Sequence, residues 1–453
     1  MKKEKIDQAV KKEKLKNTAF PQARPPKKTT LGESARSNLW FYPGEELKTG
    51  EMRVTLIGTG WGNVVSPAQK GPSIFVELGN DAQDSFVFDV GPGCILNYNA
   101  MEIPMSRMNH IFLSHLHMDH CSDLPFIYAF GPNLGDRFTP LNIYGPSGPS
   151  WPPEGDRDDH DHQAQQTVLG TRNMVEGMKR FTQWHTTSFS TMTNGAETSY
   201  PLKDEGLNTL DDNIHEFDYR VCGGTVFERN SAEHGNIRIS SFPALHIIDG
   251  AVSYRLEWTP TGQEKTIVMV YSGDTLPNEF MLEYGQNADL LIHETAPSID
   301  SVINGANTTY QQADAIVSNS HTPAESLGYI FEHTQPQLGV TTHTPVDQRS
   351  IDSMITGVRK HWQGPYQIGA DFMVFNIAES NDDKHKSVIT TRMGVPVERP
   401  WPVRIETMPD TEPPLADDEP YLRKAKSEKY KDEPYISGVI FSHELKQETP
   451  TND

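Results

Sequence analysis

Residues 111–120 read Ile-Phe-Leu-Ser-His-Leu-His-Met-Asp-His, an apolar run followed by three imidazoles and a carboxylate. The apolar residues 111–113 predict a short buried strand, so the polar side chains follow at its end. Imidazole and carboxylate are ligands that Zn²⁺ prefers, and a strand end can hold them rigidly. A His-rich surface loop is the weaker interpretation, because apolar residues precede the histidines and Leu124-Pro125-Phe126 soon follow them.

The spacing within this stretch favours two metal ions over one. His115 and His117 alternate along extended backbone, so their side chains can share one ion. Asp119 and His120 come after the bend and can face a second ion.

Three later residues have ligand chemistry, and each follows an apolar strand: His246, Asp274 and His343. We predict two Zn²⁺ ions per chain, the first bound by His115, His117 and His246 and the second by Asp119, His120 and His343. Asp274 is predicted to bridge them, because a carboxylate has two oxygens and an imidazole offers one donor nitrogen. A hydroxide held between the ions would be the nucleophile, since a bound metal lowers the pKa of water from 15.7 to about 7.

A candidate proton donor lies further along the chain. His321 precedes Thr322-Pro323-Ala324-Glu325, which predicts a helix start with Thr322 as N-cap and Glu325 completing a capping box. An imidazole held there can protonate a leaving oxygen, and Glu294 could orient it. Ordinary hydrogen bonding at a strand end remains the alternative for His293 and Glu294.

Composition limits the classes of function. The 453 residues carry a net charge of −21 with a pI near 5.2, which disfavours a surface that tracks nucleic-acid phosphates, although a local basic patch remains possible. No apolar stretch is long enough to span a membrane, and no secretory signal is visible. The three cysteines have no paired spacing, so we expect a reducing, cytoplasmic location.

The strand and helix pattern predicts one main α/β domain at 39–395. β-rich segments come first and strands mixed with helices follow, which favours two packed sheets with helices outside. Residues 1–38 are predicted to be a flexible charged and Pro-rich arm, and 150–214 an insertion with a helix at 171–184. Residues 396–453 are predicted to form a polar extension that wraps the domain, contacts a second subunit in a homodimer, or stays disordered.

Between residues 52 and 377 the chain resembles the metallo-β-lactamase superfamily, and within it the ribonuclease Z-like branch. The motifs that carry the resemblance are Gly58-Thr59-Gly60, His115–His120, Ile143-Tyr144-Gly145-Pro146, His246 with Tyr254-Arg255-Leu256-Glu257, Gly273-Asp274-Thr275, His293-Glu294-Thr295 and His343. The resemblance implies an αββα sandwich with a dinuclear zinc site at one edge. It also implies that Asp119 acts as a base toward the attacking water and that His321 and Glu294 form a proton-donating pair. The chain is similar to a sub-branch with β-lactam-hydrolysing and guanitoxin-biosynthesis-type members.

The leading hypothesis is a zinc-dependent hydrolase that cleaves a phosphodiester or ester-like bond. Asp274, in place of Cys or His, resembles ribonuclease Z and arylsulfatase-like enzymes more than dedicated β-lactamases. An RNA 3′ end, a β-lactam or lactone ring, and a small metabolite ester remain open as substrates. The alternatives are a β-lactam or lactone hydrolase and a non-hydrolytic iron-binding redox or sensor protein.

Overall fold

The computed structural model describes residues 39–62, 68–132, 137, 139–151, 166–167, 169–192, 213–306, 308–345, 348–380, 387–397, 422–424 and 440–442. The predicted arm at 1–38, and most of the insertion at 150–214 and of the extension after 395, lie outside these residues. No helix in the described part of the chain is long and apolar enough to cross a membrane.

The first large sheet has the strand order β1-β18-β17-β2-β3-β4-β5-β6-β9 within the described residues. Its strands are β1 (Trp40–Phe41), β2 (Met52–Gly58), β3 (Ser73–Leu78), β4 (Ser85–Phe88), β5 (His110–Phe112), β6 (Asn142–Pro146), β9 (Ile214–Phe217), β17 (Met373–Glu379) and β18 (Ser387–Gly394). From β4 to β9 the neighbouring strands are parallel, so their carboxyl ends lie along one edge.

The second sheet has the order β10-β11-β12-β13-β14-β15-β16. Its strands are β10 (Gly224–Ser231), β11 (Gly235–Pro243), β12 (Val252–Thr259), β13 (Ile267–Tyr271), β14 (Leu290–Glu294), β15 (Leu338–Thr342) and β16 (Tyr366–Ile368). Every residue of β13, β14 and β15 is buried, as expected for parallel strands covered on both faces. Two further sheets have two strands each: β7 (Ser150–Trp151) with β8 (Gln166–Thr167), and β19 (Leu422–Lys424) with β20 (Ile440–Ser442).

The described part of the chain forms ten α-helices. They are α1 (Cys94–Ala100), α2 (Met118–Cys121), α3 (Leu124–Phe130), α4 (Thr171–Phe181), α5 (Gln183–Met192), α6 (Glu279–Tyr284), α7 (Ile299–Ala306), α8 (Tyr310–Ser320), α9 (Ala324–Thr334) and α10 (Gln348–Val358). Side chains of α1 to α4 join a buried cluster with the first sheet, and those of α6, α9 and α10 join one with the second sheet.

The largest buried cluster lies between the sheets and includes strand residues from both, among them Phe88, Phe112, Tyr254 and Tyr271. Phe88 packs on Phe112 at 5.3 Å between ring centroids and on Tyr254 at 5.5 Å. Apolar side chains therefore fill both the space between the sheets and the space beneath the helices. The predicted αββα sandwich is confirmed.

The predicted helix start at Thr322 is wrong. The N-cap of α9 is Pro323, and no side chain caps the helix. The Thr322 hydroxyl donates instead to the carbonyl oxygen of Thr275 at 2.7 Å, and its backbone N–H donates to Glu294 at 3.1 Å. Thr322 therefore connects the start of α9 to two residues that follow the central strands, which a local capping pattern does not reveal.

Candidate metal centre

Three imidazoles converge where β5 and β11 end. Nε2 of His115 lies 2.9 Å from Nδ1 of His117, and Nε2 of His246 lies 3.2 Å from that same atom. Donor atoms that share a tetrahedral Zn²⁺ with Zn–N bonds of 2.0–2.1 Å stand about 3.3 Å apart. Both separations are close to this value, and all three nitrogens lie within 4.8 Å of one another, so one ion could bind all three.

A second group combines two imidazoles with two carboxylates: Asp119, His120, Asp274 and His343. Nε2 of His343 lies 3.2 Å from Oδ2 of Asp119, and Nε2 of His120 lies 3.2 Å from Oδ1 of Asp274. Nε2 of His120 and Oδ1 of Asp274 are fully buried without a hydrogen-bond partner among the described residues. Unsatisfied buried ligand atoms are costly, and a cation between them would remove that cost.

Asp274 lies between the two groups. Its Oδ2 is 3.9 Å from Nε2 of both His115 and His246, and 3.4 Å from Nε2 of His343. The preceding Gly273 has φ of 57°, and a side chain there would meet Cβ of Ser114 at 2.6 Å. A glycine is therefore needed to bring Asp274 this close to the segment after β5 that carries Ser114 and the first histidines.

Asp89 supports the second group, and the sequence analysis did not identify it. Its buried carboxylate accepts hydrogen bonds from the Tyr271 hydroxyl at 2.7 Å and from the Ser114 hydroxyl at 2.6 Å. Oδ2 of Asp89 also lies 2.8 Å from Nδ1 of His120, which leaves Nε2 of that ring facing the ligand group. Asp89 itself has φ of 58°, a conformation that costs energy for a residue with a side chain. The only sequence signal was its position before Gly91-Pro92-Gly93, at the end of an apolar strand.

Burial keeps the first group of imidazoles neutral. It lowers the pKa of His246 to about 4 and holds the pKa of His115 well below its usual range. Nδ1 of His246 lies 2.8 Å from the carbonyl oxygen of Ser320, so Nε2 is the atom that faces the group. Metal ligation needs the neutral form of imidazole, so these rings have the protonation state that an ion requires.

His321 and Glu294 form a buried pair beside the two groups. Nδ1 of His321 lies 3.2 Å from Oε1 of Glu294, and the same oxygen accepts backbone N–H groups from Thr275 and Thr322 at 3.0 and 3.1 Å. Burial lowers the pKa of His321, but the charge of Glu294 outweighs it and raises that pKa to about 9. His321 is thus protonated at neutral pH, with its ring 5.3 Å from that of His246.

The neighbouring His293 faces away from this arrangement. Its Nδ1 lies 2.7 Å from the backbone oxygen of Glu294, and His293 belongs to none of the ligand groups found among the described residues. Of the two polar residues that end β14, Glu294 therefore faces the site and His293 has the ordinary hydrogen bond that the sequence analysis kept as an alternative.

An open cavity of about 840 Å³ reaches both ligand groups. His117, Asp119, His246, Asp274, His321 and His343 all line it. Its volume lies within the range of about 300–1,000 Å³ that is usual for small-molecule sites. A substrate in this cavity would contact the ligand groups and the His321 side chain together.

No family model matches the sequence. Ribonuclease Z of Picrophilus torridus is 24% identical over 278 residues, which cover 58% of this chain and 80% of that protein. Ribonuclease Z of Thermococcus kodakarensis is 27% identical over 251 residues, which cover 54% of this chain and 72% of that protein. Among solved structures, the short form of human tRNase Z is 17% identical, covering 71% of this chain and 98% of that chain, with a TM-score of 0.45. The metallo-β-lactamase fold protein YhfI from Bacillus subtilis is 18% identical, covering 72% and 99%, with a TM-score of 0.44.

Proposed function

We propose that this chain is a member of the ribonuclease Z-like branch of the metallo-β-lactamase superfamily and a hydrolase that cleaves phosphodiester bonds with two bound Zn²⁺ ions. The observation that carries the proposal is the convergence of seven side chains with ligand chemistry, five of which line one cavity together with His321. The relatives named ribonuclease Z support a phosphodiester substrate.

The proposed ligands fit two borderline divalent cations. His115, His117 and His246 would hold the first, Asp119, His120 and His343 the second, and Asp274 would contact both. The unpartnered buried atoms of His120 and Asp274, and the imidazole-rich donor set, support zinc over the oxygen-preferring Mg²⁺ or Ca²⁺. When bound, the ions would supply Lewis acidity and a water molecule of lowered pKa.

Asp119 is the proposed base toward the attacking water. It lines the cavity and is the more exposed of the two carboxylates in the second group, with 19% of its side-chain surface accessible against 3% for Asp274. Oδ2 of Asp119 lies 3.2 Å from Nε2 of His343, as two ligands of one ion would, so the other oxygen of this carboxylate would act as the base.

His321 is the proposed acid. Hydrolysis forms a bond from the water oxygen to phosphorus and breaks the bond from phosphorus to the ester oxygen, which must then gain a proton. His321 carries that proton at neutral pH, and Glu294 fixes the ring and stabilises its charge. The backbone N–H groups of Thr275 and Thr322 keep the Glu294 carboxylate in place.

Metal analysis combined with hydrolysis of bis(p-nitrophenyl) phosphate tests the proposal. We expect two zinc ions per chain and metal-dependent release of p-nitrophenol. Asp274→Asn should lower the metal content and abolish release, whereas the exposed Asp81→Asn should change neither. One redox-active iron per chain without hydrolysis would instead support the redox or sensor alternative, and hydrolysis of β-lactams but not of phosphodiesters would support the lactamase alternative.

A further inference from the structure

The mouth of the cavity exposes large apolar side chains next to the proposed ligands. Met118, between His117 and Asp119, is 70% exposed, and Ile247, directly after His246, is 62% exposed. Both line the cavity, and neither belongs to a hydrophobic cluster of the described residues. Exposed apolar residues grouped at a concave site are typical of a surface that binds an apolar ligand.

Further apolar side chains continue this surface inside the cavity. Trp61, Pro92, Ala315 and Ile316 are lining residues, and the Trp61 ring lies 6.2 Å from that of the proposed acid His321. We refer to Trp61, Pro92, Met118, Ile247, Ala315 and Ile316 as the apolar wall. Because the wall begins beside the proposed acid and extends to the mouth, an ester group of the substrate would lie against it during hydrolysis.

The cavity lacks the lysines and arginines that a polyanion would need. None of the described residues that line the cavity is Lys or Arg, and the whole chain carries a net charge of −21. Proteins that bind RNA place cations along successive phosphates, because release of counterions supplies most of the affinity. Two metal ions and His321 could balance the charge of one phosphodiester, but the described lining offers no Lys or Arg for neighbouring phosphates.

We propose, on the basis of the proposed function, that the substrate is a small phosphodiester carrying at least one aryl or comparably apolar ester group, which binds against the apolar wall. The cavity volume of about 840 Å³ accommodates such a molecule. Burial of the apolar group supplies affinity that would otherwise come from contacts to further phosphates. The wall residues thus determine which ester group is accepted, and the proposed metal ligands act on the phosphate that all phosphodiesters have in common.

Binding of two simple probes to the full-length, zinc-loaded protein tests the apolar wall directly. Calorimetry should show that phenylphosphonate binds about tenfold or more tightly than methylphosphonate, since the two differ only in the apolar group. In the double variant Met118→Ala with Ile247→Ala, this ratio should fall below about threefold at unchanged metal content. Met118→Gln, which keeps the side-chain length, should lower the ratio too, whereas Val388→Ala, an exposed apolar residue outside the lining, should preserve it.

Hydrolysis separates this inference from the proposed function. p-Nitrophenyl phenyl phosphate and methyl p-nitrophenyl phosphate share a leaving group, so the ratio of their kcat/KM values, phenyl over methyl, reports the effect of the second ester group. We expect the double variant to lower this phenyl-to-methyl ratio about tenfold. The inference would be overturned if both phosphonates bound equally and the double variant left the ratio of kcat/KM values unchanged. Hydrolysis of the two esters would still uphold the proposed function in that case. A pre-tRNA 3′ end that displaces phenylphosphonate at 150 mM salt would overturn it in favour of RNA. If the zinc-loaded wild type hydrolysed neither phosphate ester but still bound phenylphosphonate more tightly than methylphosphonate, the apolar wall would be supported and only the proposed function refuted.

Discussion

Nδ1 of His120 lies 2.8 Å from Oδ2 of Asp89, and both side chains are fully buried. This contact determines which nitrogen of the ring faces the ligand group, so a residue outside the group controls a proposed ligand. Carboxylates in this position usually orient a metal-binding imidazole and increase its basicity. Because Asp89 also accepts hydrogen bonds from Ser114 and Tyr271, its loss would disturb three polar groups of the inter-sheet layer.

Asp89→Asn should weaken the binding of one metal ion by about 10- to 100-fold. The amide keeps the shape of the side chain but replaces a carboxylate acceptor by an N–H donor that faces the donors of Ser114 and Tyr271. Competition with a chromophoric chelator measures both binding steps. Tyr271→Phe removes one of the hydrogen bonds and leaves the His120 contact, so it should affect metal affinity much less. Equal affinity in wild type and Asp89→Asn would show that His120 is not a ligand.

Gly273→Ala should destabilise the protein by about 2–4 kcal/mol and reduce its metal content. Its φ of 57° disfavours a side chain, and the new Cβ would meet Cβ of Ser114 at 2.6 Å. Because Asp274 follows directly, relief of the clash would move the proposed bridging carboxylate. Urea unfolding and metal analysis measure the two effects.

Gly177→Ala is the matched control for this variant. Gly177 lies inside α4 with open space around its missing side chain, so alanine should stabilise the helix by up to about 1 kcal/mol. If Gly273→Ala were as stable and as metal-rich as the wild type, the close approach of Asp274 to the segment around Ser114 would not be required.

The sequence alone predicted the parts of this site that lie at strand ends. Alternation of His115 and His117, and apolar runs before Asp274 and His343, are local patterns that place these residues after the ends of strands in the two sheets. Asp89 could not be predicted in this way, because its role depends on Ser114 and Tyr271, which are distant in sequence and meet it only after the sheets pack. The fold followed from the same reasoning, since fully buried strands with outer helices have few stable arrangements.

Asp89 was missed, whereas Thr322 was given a role that the structure does not show. Its sequence context, with Pro323 and Glu325, fits a capping box, but its hydroxyl donates to Thr275 across 47 positions of the chain. A long-range acceptor took the place of the local one because Glu294 brings the two segments together through its Oε1. Local propensity therefore identified the helix but not the role of the residue before it.

His321→Ala should retain both metal ions and lower kcat by about 10²–10⁴ for phosphodiesters with alkoxide leaving groups. An alkoxide needs a proton to depart, whereas p-nitrophenolate departs readily without one, so bis(p-nitrophenyl) phosphate should lose much less activity. Glu294→Gln should show the same dependence on leaving group, because it removes the charge that raises the pKa of His321. Loss of metal from His321→Ala, or an equal loss of activity for both leaving groups, would exclude His321 as the acid.

His110 should make stability fall in acid, independently of the proposed metal ligands. Burial, together with the charge of Arg229 at 3.2 Å, lowers the pKa of His110 to about 3, although Asp84 opposes the shift. The unfolded chain therefore binds a proton near pH 6.5 that the folded protein does not accept until about pH 3, so stability decreases as pH falls through this window. Because His110 is only partly buried, we expect its contribution to the decrease in unfolding free energy between pH 7.5 and pH 5 to be about 1–2 kcal/mol. His110→Gln should remove that part of the decrease in urea unfolding at the two pH values. An identical decrease in the variant would mean that His110 titrates normally in the folded protein.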